Sequence, residues 1–275
     1  MSCLACGNQQ HEHLYDGILS CPACKFSRAD LNLSEEAAKK IYGKNYFFGD
    51  EYVDYLNEEA ALRENARRNL KWMASFCPGG KLLEIGCAYG FFLDEAKHYY
   101  DVNGVDIHEE GCKHARRAFN LKARAGNFLD MPYPENSFDA ITLWNTLEHL
   151  ARPDLFIQKS SRLLKKDGAL FFSTLDITSF PAKIRGKHWR QIHPPTHISY
   201  FSWKSLCIML EKAGFSIADK KYRGEYRSWN NTFFTLFVLR AKNKKLYESL
   251  KKRNWLKGIY YLNTFDIITC AAKKR

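Results

Sequence analysis

Short apolar runs alternate with segments of helical periodicity over most of the chain. Between the runs, apolar residues recur every three to four positions, as they do on one face of an amphipathic helix. Alternation of this kind predicts an α/β domain with a mostly parallel sheet and helices on both faces. The predicted strands lie at residues 81–85, 101–106, 121–125, 138–143, 169–174 and 215–220, and the predicted helices at 91–98, 108–119, 154–164 and 204–213.

The pattern divides the chain into three parts. Residues 1–33 have few periodic apolar positions, and residues 34–79 contain two segments of helical periodicity. Residues 80–275 contain the alternation of apolar runs with helical segments. The second helical segment should end at Pro78-Gly79-Gly80, because proline and glycine break helices. A β-prone segment over 264–272 predicts an antiparallel strand that completes a seven-stranded sheet. We therefore expect a small N-terminal module, a helical linker or lid, and an α/β domain.

Four of the nine cysteines lie in the N-terminal module. They form two Cys-x2-Cys pairs, and the other five cysteines are scattered and are interpreted as packing residues. Two such pairs can place four thiolates at the corners of a tetrahedron, the geometry that Zn²⁺ accepts, and iron is the alternative metal. Four thiolates leave no open position for water, so we predict a structural zinc ribbon. Its ligands would be Cys3, Cys6, Cys21 and Cys24.

Positive charge is concentrated in the C-terminal part. Of a net charge of +12, +11 falls on residues 219–275, which contain fifteen Lys or Arg and four Asp or Glu. Such a surface can bind phosphate, nucleic acid or an anionic membrane, or can remain solvated. An aromatic content of 15% excludes a mostly disordered chain, and no apolar stretch is long enough to cross a bilayer. The first residues show no secretory pattern, so the cytoplasm is expected.

A glycine-containing loop follows the first strand of the predicted sheet. It reads EIGCAYG from Glu84 to Gly90 and leads into a helix. Small residues let a ligand approach the backbone, and the helix start offers free N–H groups. Asp106 ends the next strand, where a carboxylate can bind both ribose hydroxyls of an adenosine. The loop therefore predicts a nucleotide-like cofactor, and its outer glycines, four residues apart, disfavour NAD.

These motifs resemble those of class I S-adenosylmethionine-dependent methyltransferases. The resemblance covers residues 80–220 and implies a Rossmann-like fold and S-adenosylmethionine as cofactor. Asn127 and Ala88 stand where family members more often have Asp and Gly. The motifs that carry it are the 84–90 loop, Gly104-Val105-Asp106, Gly126-Asn127-Phe128 with nearby Pro132, Ser137-Phe138-Asp139, Leu147-Glu148-His149-Leu150 and the segment 163–168.

The resemblance also implies where the cofactor lies. The glycine loop would face its methionine moiety, Asp106 would hold the ribose, and Asn127 with Phe128 would lie against adenine. Tyr46 would close over the cofactor, although an aromatic residue there could equally belong to the core. The implied cofactor-binding residues are Tyr46, Glu84, Gly86, Cys87, Ala88, Tyr89, Gly90, Phe91, Asp106, Ile107, Asn127, Phe128, Trp144 and Asn145.

The methyl acceptor is expected beyond the carboxyl ends of the strands, beside an acceptor-loop insertion at about 176–203. This insertion contains the sequence GKHWRQIHPPTHISYFS, whose three histidines no packing periodicity explains. It resembles a segment found in a methyltransferase subgroup with an N-terminal four-cysteine ribbon and a Tyr-Phe pair, here Tyr46-Phe47. If the acceptor must lose a proton, His197 is the first candidate base and His193 the second, and either imidazole could instead order the loop.

Two functional hypotheses follow. The first is a methyltransferase acting on a small molecule, as the subgroup's association with sugar, polysaccharide and lipid-linked substrates implies, with the acceptor free or linked to a nucleotide or lipid. The basic C-terminal part would then steer a phosphate or touch a membrane surface. The alternative is an rRNA or tRNA base methyltransferase that grips RNA with its ribbon and basic part. A cofactor-binding platform without catalysis is the third possibility.

Overall fold

The computed structural model describes residues 2–31, 55–253 and 255–275. Its strands are β1 (Glu12–Tyr15), β2 (Ile18–Ser20), β3 (Ser27–Ala29), β4 (Gly80–Ile85), β5 (Tyr100–Asp106), β6 (Ala123–Ala125), β7 (Phe138–Trp144), β8 (Leu164–Leu175), β9 (Ser199–Tyr200), β10 (Phe215–Tyr222), β11 (Glu225–Ser228), β12 (Ile259–Leu262) and β13 (Ile267–Lys274). Its α-helices are α1 (Glu59–Met73), α2 (Phe91–Ala96), α3 (Glu109–Phe119), α4 (Pro153–Leu163), α5 (Phe180–Arg185), α6 (Trp203–Lys212), α7 (Trp229–Phe234) and α8 (Lys244–Lys252).

Seven strands form the central sheet in the order β10-β13-β8-β7-β4-β5-β6. The pairs from β8 to β6 are parallel, whereas β13 lies antiparallel to both β8 and β10. This confirms the predicted Rossmann-like α/β fold and the antiparallel last strand. The chain runs outward from β4 to β6 and then returns to β7 on the other side of β4. Such a reversal opens a crevice at the carboxyl ends of the strands.

The sheet is covered on both faces, as its apolar runs predicted. Every residue of β8 from Gly168 to Leu175 is buried, which a strand packed on one face only would not show. Ile157 of α4 and Leu206 of α6 belong to one cluster of buried apolar residues, and Leu93 of α2 belongs to a second such cluster. The predicted helices after residue 80 agree with the observed ones to within two residues at each end. The helix predicted from Ser34 lies outside the described residues.

The N-terminal module is joined to the α/β domain by backbone pairing. Strands β1, β2 and β3 form an antiparallel sheet with β9, which belongs to the predicted acceptor loop. The Ser202 hydroxyl donates to the Cys24 carbonyl at 2.5 Å, and the Lys212 ammonium donates to the Ala5 carbonyl at 2.8 Å. The sequence predicted a small ribbon over residues 1–33, and its strand register with β9 could not be read from the pattern.

A cap stands between β10 and β13, over the carboxyl edge of the sheet. Its base is the antiparallel pair β11–β12, and between these strands lie α7, a π-helical turn at Thr235–Arg240 and α8. The apolar run at 233–239 lies within this cap, in α7 and the π-helical turn. The Asn65 side chain of α1 exchanges two hydrogen bonds with the Tyr226 backbone, at 2.9 and 2.7 Å. Helix α1 and the cap therefore form one roof.

No helix within the described ranges is both long enough and apolar enough to cross a membrane.

Candidate active site

The loop between β4 and α2 has a backbone that favours small residues. Gly86, Ala88 and Gly90 have φ values of 83°, 44° and 88°, all in the left-handed region. A Cβ on Gly86 would lie 2.5 Å from the Thr146 hydroxyl oxygen, so only glycine fits there. Ala88 adopts the same region with a Cβ, at a cost of roughly 1–2 kcal/mol relative to ordinary backbone. Alanine at this position, where family members more often have glycine, therefore raises the free energy of the folded loop by that amount.

Asp106 ties this loop to the end of β5. Its two carboxylate oxygens accept backbone N–H groups from Ala88 and His108, each at 2.8 Å. Burial raises the pKa of Asp106, and these N–H bonds act in the opposite direction. Each oxygen accepts one of these bonds and has a further lone pair. The carboxylate can therefore hold the loop and still bind the hydroxyls of a ribose.

Glu84 places a second carboxylate at the end of the neighbouring strand β4. It is 4% exposed, and its Oε2 atom is buried without a hydrogen-bond partner in the described part of the chain. Burial, with the nearby Asp106 charge, raises the pKa of Glu84 well above its usual range. A buried carboxylate oxygen without a partner is costly, and a bound ammonium would remove that cost. This environment fits the amino group of a methionine moiety.

The turn after β6 is held by a buried lysine. The Lys159 ammonium of α4 donates to the carbonyls of Phe128, Leu129 and Met131 at 2.7 to 2.8 Å. The Asn127 amide oxygen accepts the Leu129 backbone N–H at 3.1 Å. The resemblance places this turn beside adenine, and these contacts fix its shape before any ligand binds.

One cavity of about 780 Å³ joins these groups. The sequence-predicted residues that line it are Glu84, Gly86, Cys87, Ala88, Phe91, Asp106, Ile107, Asn127, Phe128, Trp144, Asn145 and His197. Tyr89, Gly90 and His193 are not among its lining residues: the Tyr89 ring packs 5.4 Å from that of Tyr55, and Gly90 caps α2. Tyr46 lies outside the described residues.

The roof supplies residues that the sequence analysis did not single out. Asn65 and Asn69 line the cavity from α1, and their spacing of four on a helix was a signal that could have identified them. The cap contributes a larger polar set, and no motif marked those positions because only the pairing of β11 with β12 brings them to the cavity. These residues are Glu225, Arg227, Asn231, Thr232 and Tyr260.

Glu148, His149 and His197 also line this cavity and form a cluster of titratable side chains. Burial raises the pKa of Glu148 to about 7 and lowers that of His149 to about 4. Burial also lowers the pKa of His197 well below its ordinary value, so both imidazoles are neutral at pH 7. The ring of His193 lies 3.9 Å from that of His197, centroid to centroid. The two predicted histidines are thus neighbours, with His197 at the cavity.

The four N-terminal cysteines are gathered at one point. The Cys3 and Cys24 sulfurs are 3.5 Å apart, as are those of Cys6 and Cys21, and all four sulfurs lie within 4.8 Å of one another. Zinc–sulfur bonds of about 2.3 Å in a tetrahedron require sulfurs separated by a little under 4 Å. The arrangement therefore fits a tetrahedral metal. Four of the other five cysteines are buried and Cys207 is half-buried, in keeping with packing positions.

Two relatives resemble part of this chain. A protein named as a probable S-adenosylmethionine-dependent methyltransferase of Mycolicibacterium smegmatis is 29% identical over 150 residues, which cover 54% of this chain and 56% of that protein. A ubiquinone biosynthesis O-methyltransferase of Paracidovorax citrulli is 30% identical over 137 residues, covering 45% of this chain and 56% of that protein. The chain thus matches little more than half the length of these relatives.

Solved structures share the fold at low sequence identity. The YcgJ protein of Bacillus subtilis aligns with a TM-score of 0.57 and 18% identity, over 77% of this chain and 98% of that chain. Magnesium protoporphyrin IX methyltransferase of Synechocystis PCC 6803 aligns with a TM-score of 0.57 and 13% identity, over 88% and 100%. Residues 55–220 match the family model described as a methyltransferase domain. Since that match covers more than half of the chain, the protein belongs to the methyltransferase domain family.

Proposed function

We propose that this protein transfers a methyl group from S-adenosylmethionine to a small-molecule acceptor. The observation that carries the proposal is the pair of carboxylates, Glu84 and Asp106, at adjacent strand ends in one cavity. The unpartnered oxygen of Glu84 suits the ammonium of the cofactor, and the lone pairs of Asp106 suit its ribose. Asn127 and Phe128 would contact adenine. The family match supports the same reaction class.

Methyl transfer from a sulfonium is an in-line displacement. A lone pair of the acceptor attacks the methyl carbon, and the carbon–sulfur bond breaks with its electron pair on sulfur, which leaves S-adenosylhomocysteine. The protein must align the two reactants, and an acceptor hydroxyl must also lose its proton. We assign that proton first to His197, which is neutral and lines the cavity, and second to the adjacent His193.

The roof favours an acceptor of small-molecule size. Helix α1 and the cap enclose the cavity, and five polar side chains of the cap face it. An acceptor that carries several hydroxyls, such as a sugar, would suit these donors and acceptors. The name of the ubiquinone biosynthesis O-methyltransferase also supports a small acceptor. We therefore favour a sugar- or lipid-linked acceptor over an RNA base.

We further infer that the four N-terminal cysteines hold a structural zinc. Their sulfur separations and the absence of an open position in a four-thiolate set support this assignment. Zinc would stabilise the ribbon, which is too short to form a core unaided.

Binding of S-adenosylhomocysteine tests the proposed function. Asp106→Ala should weaken binding about 100-fold or more, because it removes two hydrogen bonds to a charged acceptor. The matched control is Asp101→Ala at the exposed start of the same strand, which should leave affinity within about twofold. Calorimetry measures both, with zinc content and thermal unfolding as checks on the fold. Equal affinity of wild type and Asp106→Ala would overturn the cofactor site.

A further inference from the structure

Three potential metal ligands converge in the acceptor half of the cavity. Glu148, His149 and His197 each offer a ligand atom, and these atoms lie within 4.8 Å of one another. All three residues line the cavity that holds the carboxylates of the cofactor site. Two imidazoles and one carboxylate form a ligand set typical of a divalent transition ion that keeps open positions.

Backbone carbonyls set the orientation of both imidazoles. His149 Nδ1 lies 3.0 Å from the Thr196 carbonyl oxygen, and His197 Nδ1 lies 2.9 Å from that of Gln191. A carbonyl can only accept, so each Nδ1 carries the proton and each Nε2 carries the lone pair. Histidines that bind metals commonly donate their other N–H in this way, which fixes the tautomer. The protein therefore supplies the second layer of contacts that a metal site requires.

The segments that carry the ligands are tied to each other. The Ile198 backbone N–H donates to the Glu148 carbonyl at 2.9 Å, and the Ser199 hydroxyl donates to the Leu150 carbonyl at 2.7 Å. The Glu148 carboxylate is oriented by the Thr174 hydroxyl of β8, which donates to its Oε2 at 2.7 Å. The ligands are thus held in place by the fold and need no ion to bring them together.

We propose that Glu148, His149 and His197 bind a divalent cation that holds the methyl acceptor. The inference rests on the proposed function and deepens it. A cation with open positions favours an acceptor with two adjacent oxygens, such as a vicinal diol or a hydroxy-acid, which can bind it through both. It would lower the pKa of the acceptor hydroxyl and fix the oxygen that attacks the methyl carbon. When the cation is bound, the His197 Nε2 lone pair is a ligand and cannot accept the hydroxyl proton, which leaves to solvent. The cation thus replaces the histidine base assigned above, and the methyl-transfer reaction stays the same.

Manganese binding tests this site without any acceptor. Mn²⁺ favours nitrogen and oxygen ligands over thiolates, so full-length protein already loaded with zinc keeps its ribbon during the titration. We expect one Mn²⁺ per chain by electron paramagnetic resonance, with pulsed-resonance modulation from imidazole nitrogen. His149→Gln and His197→Gln should each weaken Mn²⁺ binding about tenfold or more. His188→Gln, an exposed histidine outside the cavity, is the matched control and should leave it unchanged.

The outcomes separate this inference from the proposed function. Wild-type protein that binds S-adenosylhomocysteine but takes up no Mn²⁺ at millimolar concentration overturns the cation site alone. Equal Mn²⁺ affinity in wild type, His149→Gln and His197→Gln also overturns it. Loss of Mn²⁺ binding in either variant, with S-adenosylhomocysteine affinity and zinc content retained, supports it because the fold is then intact. Failure of wild type to bind S-adenosylhomocysteine would instead contradict the proposed function.

Discussion

At the scale of single residues, the cofactor loop contains a strained position. Ala88 has a φ of 44°, and its backbone N–H is fixed by the Asp106 carboxylate. Ala88→Gly should relieve the folded protein of the left-handed backbone cost of roughly 1–2 kcal/mol. Glycine also makes the unfolded chain more flexible, which offsets part of this stabilisation. We expect a net gain of about 0.5–1 kcal/mol in the free energy of unfolding, measured by urea denaturation.

A second alanine gives the control for this prediction. Ala115 is buried inside α3. Ala115→Gly should lower the free energy of unfolding by about 1 kcal/mol, because glycine loses more conformational entropy on folding and the contacts of the methyl group are lost. A decrease for Ala88→Gly of the same size as for Ala115→Gly would show that the loop backbone is not strained.

Sequence motifs identified the functional residues that stand at a fixed position relative to a strand end or a loop. Glu84 and Asp106 end adjacent strands, so the strand pattern alone placed both at one edge. Asn65 and Glu225 lie 160 positions apart, and they line the same cavity only because β11 packs on α1. No local signal specifies such a contact, because it depends on how two distant elements meet.

At the scale of elements, the ribbon supports the wall that carries His197. Strand β3 pairs with β9 through Ser27 with Tyr200 and Arg28 with Ser199, and His197 lies just before β9. If zinc holds the ribbon, its loss should release β9. In Cys6→Ser/Cys21→Ser protein, we expect zinc to be lost and amide exchange over residues 196–202 to accelerate about tenfold or more, while β7 stays protected.

Cys207→Ser supplies the comparison for this experiment, because Cys207 is a half-buried thiol outside the four-cysteine cluster. It should retain zinc and leave exchange over 196–202 at the wild-type rate. Unchanged exchange in the Cys6→Ser/Cys21→Ser protein after zinc loss would mean that β9 is held by the α/β domain alone.

At the scale of the whole molecule, the cap combines basic and exposed apolar residues. Leu239, Leu246 and Trp255 are 41%, 40% and 66% exposed, on the part of the chain that carries +11 of the net charge. Apolar side chains among lysines favour an anionic membrane surface. We expect binding to phosphatidylglycerol vesicles that weakens with salt, and about a threefold loss for Trp255→Ser in flotation assays.

Tyr99→Ser is the control for the vesicle experiment. Tyr99 is similarly exposed, at 64%, but it precedes β5 and so lies at the edge of the sheet away from the cap. Equal vesicle binding by wild type and Trp255→Ser would contradict a membrane role for the cap. Strong retention on RNA with a steep salt dependence, and none on vesicles, would favour the RNA hypothesis.

The sequence by itself determined the sheet, its order of helices and strands, and the carboxylates of the cofactor site. Periodicity and strand-end chemistry are local properties, and a parallel sheet brings all its carboxyl ends to one edge. The tertiary structure decided the roof over the cavity, the docking of the ribbon on β9 and the meeting of Glu148 with His197. These depend on packing between residues 49 to 173 positions apart in the chain, for which the chain carries no short-range signal.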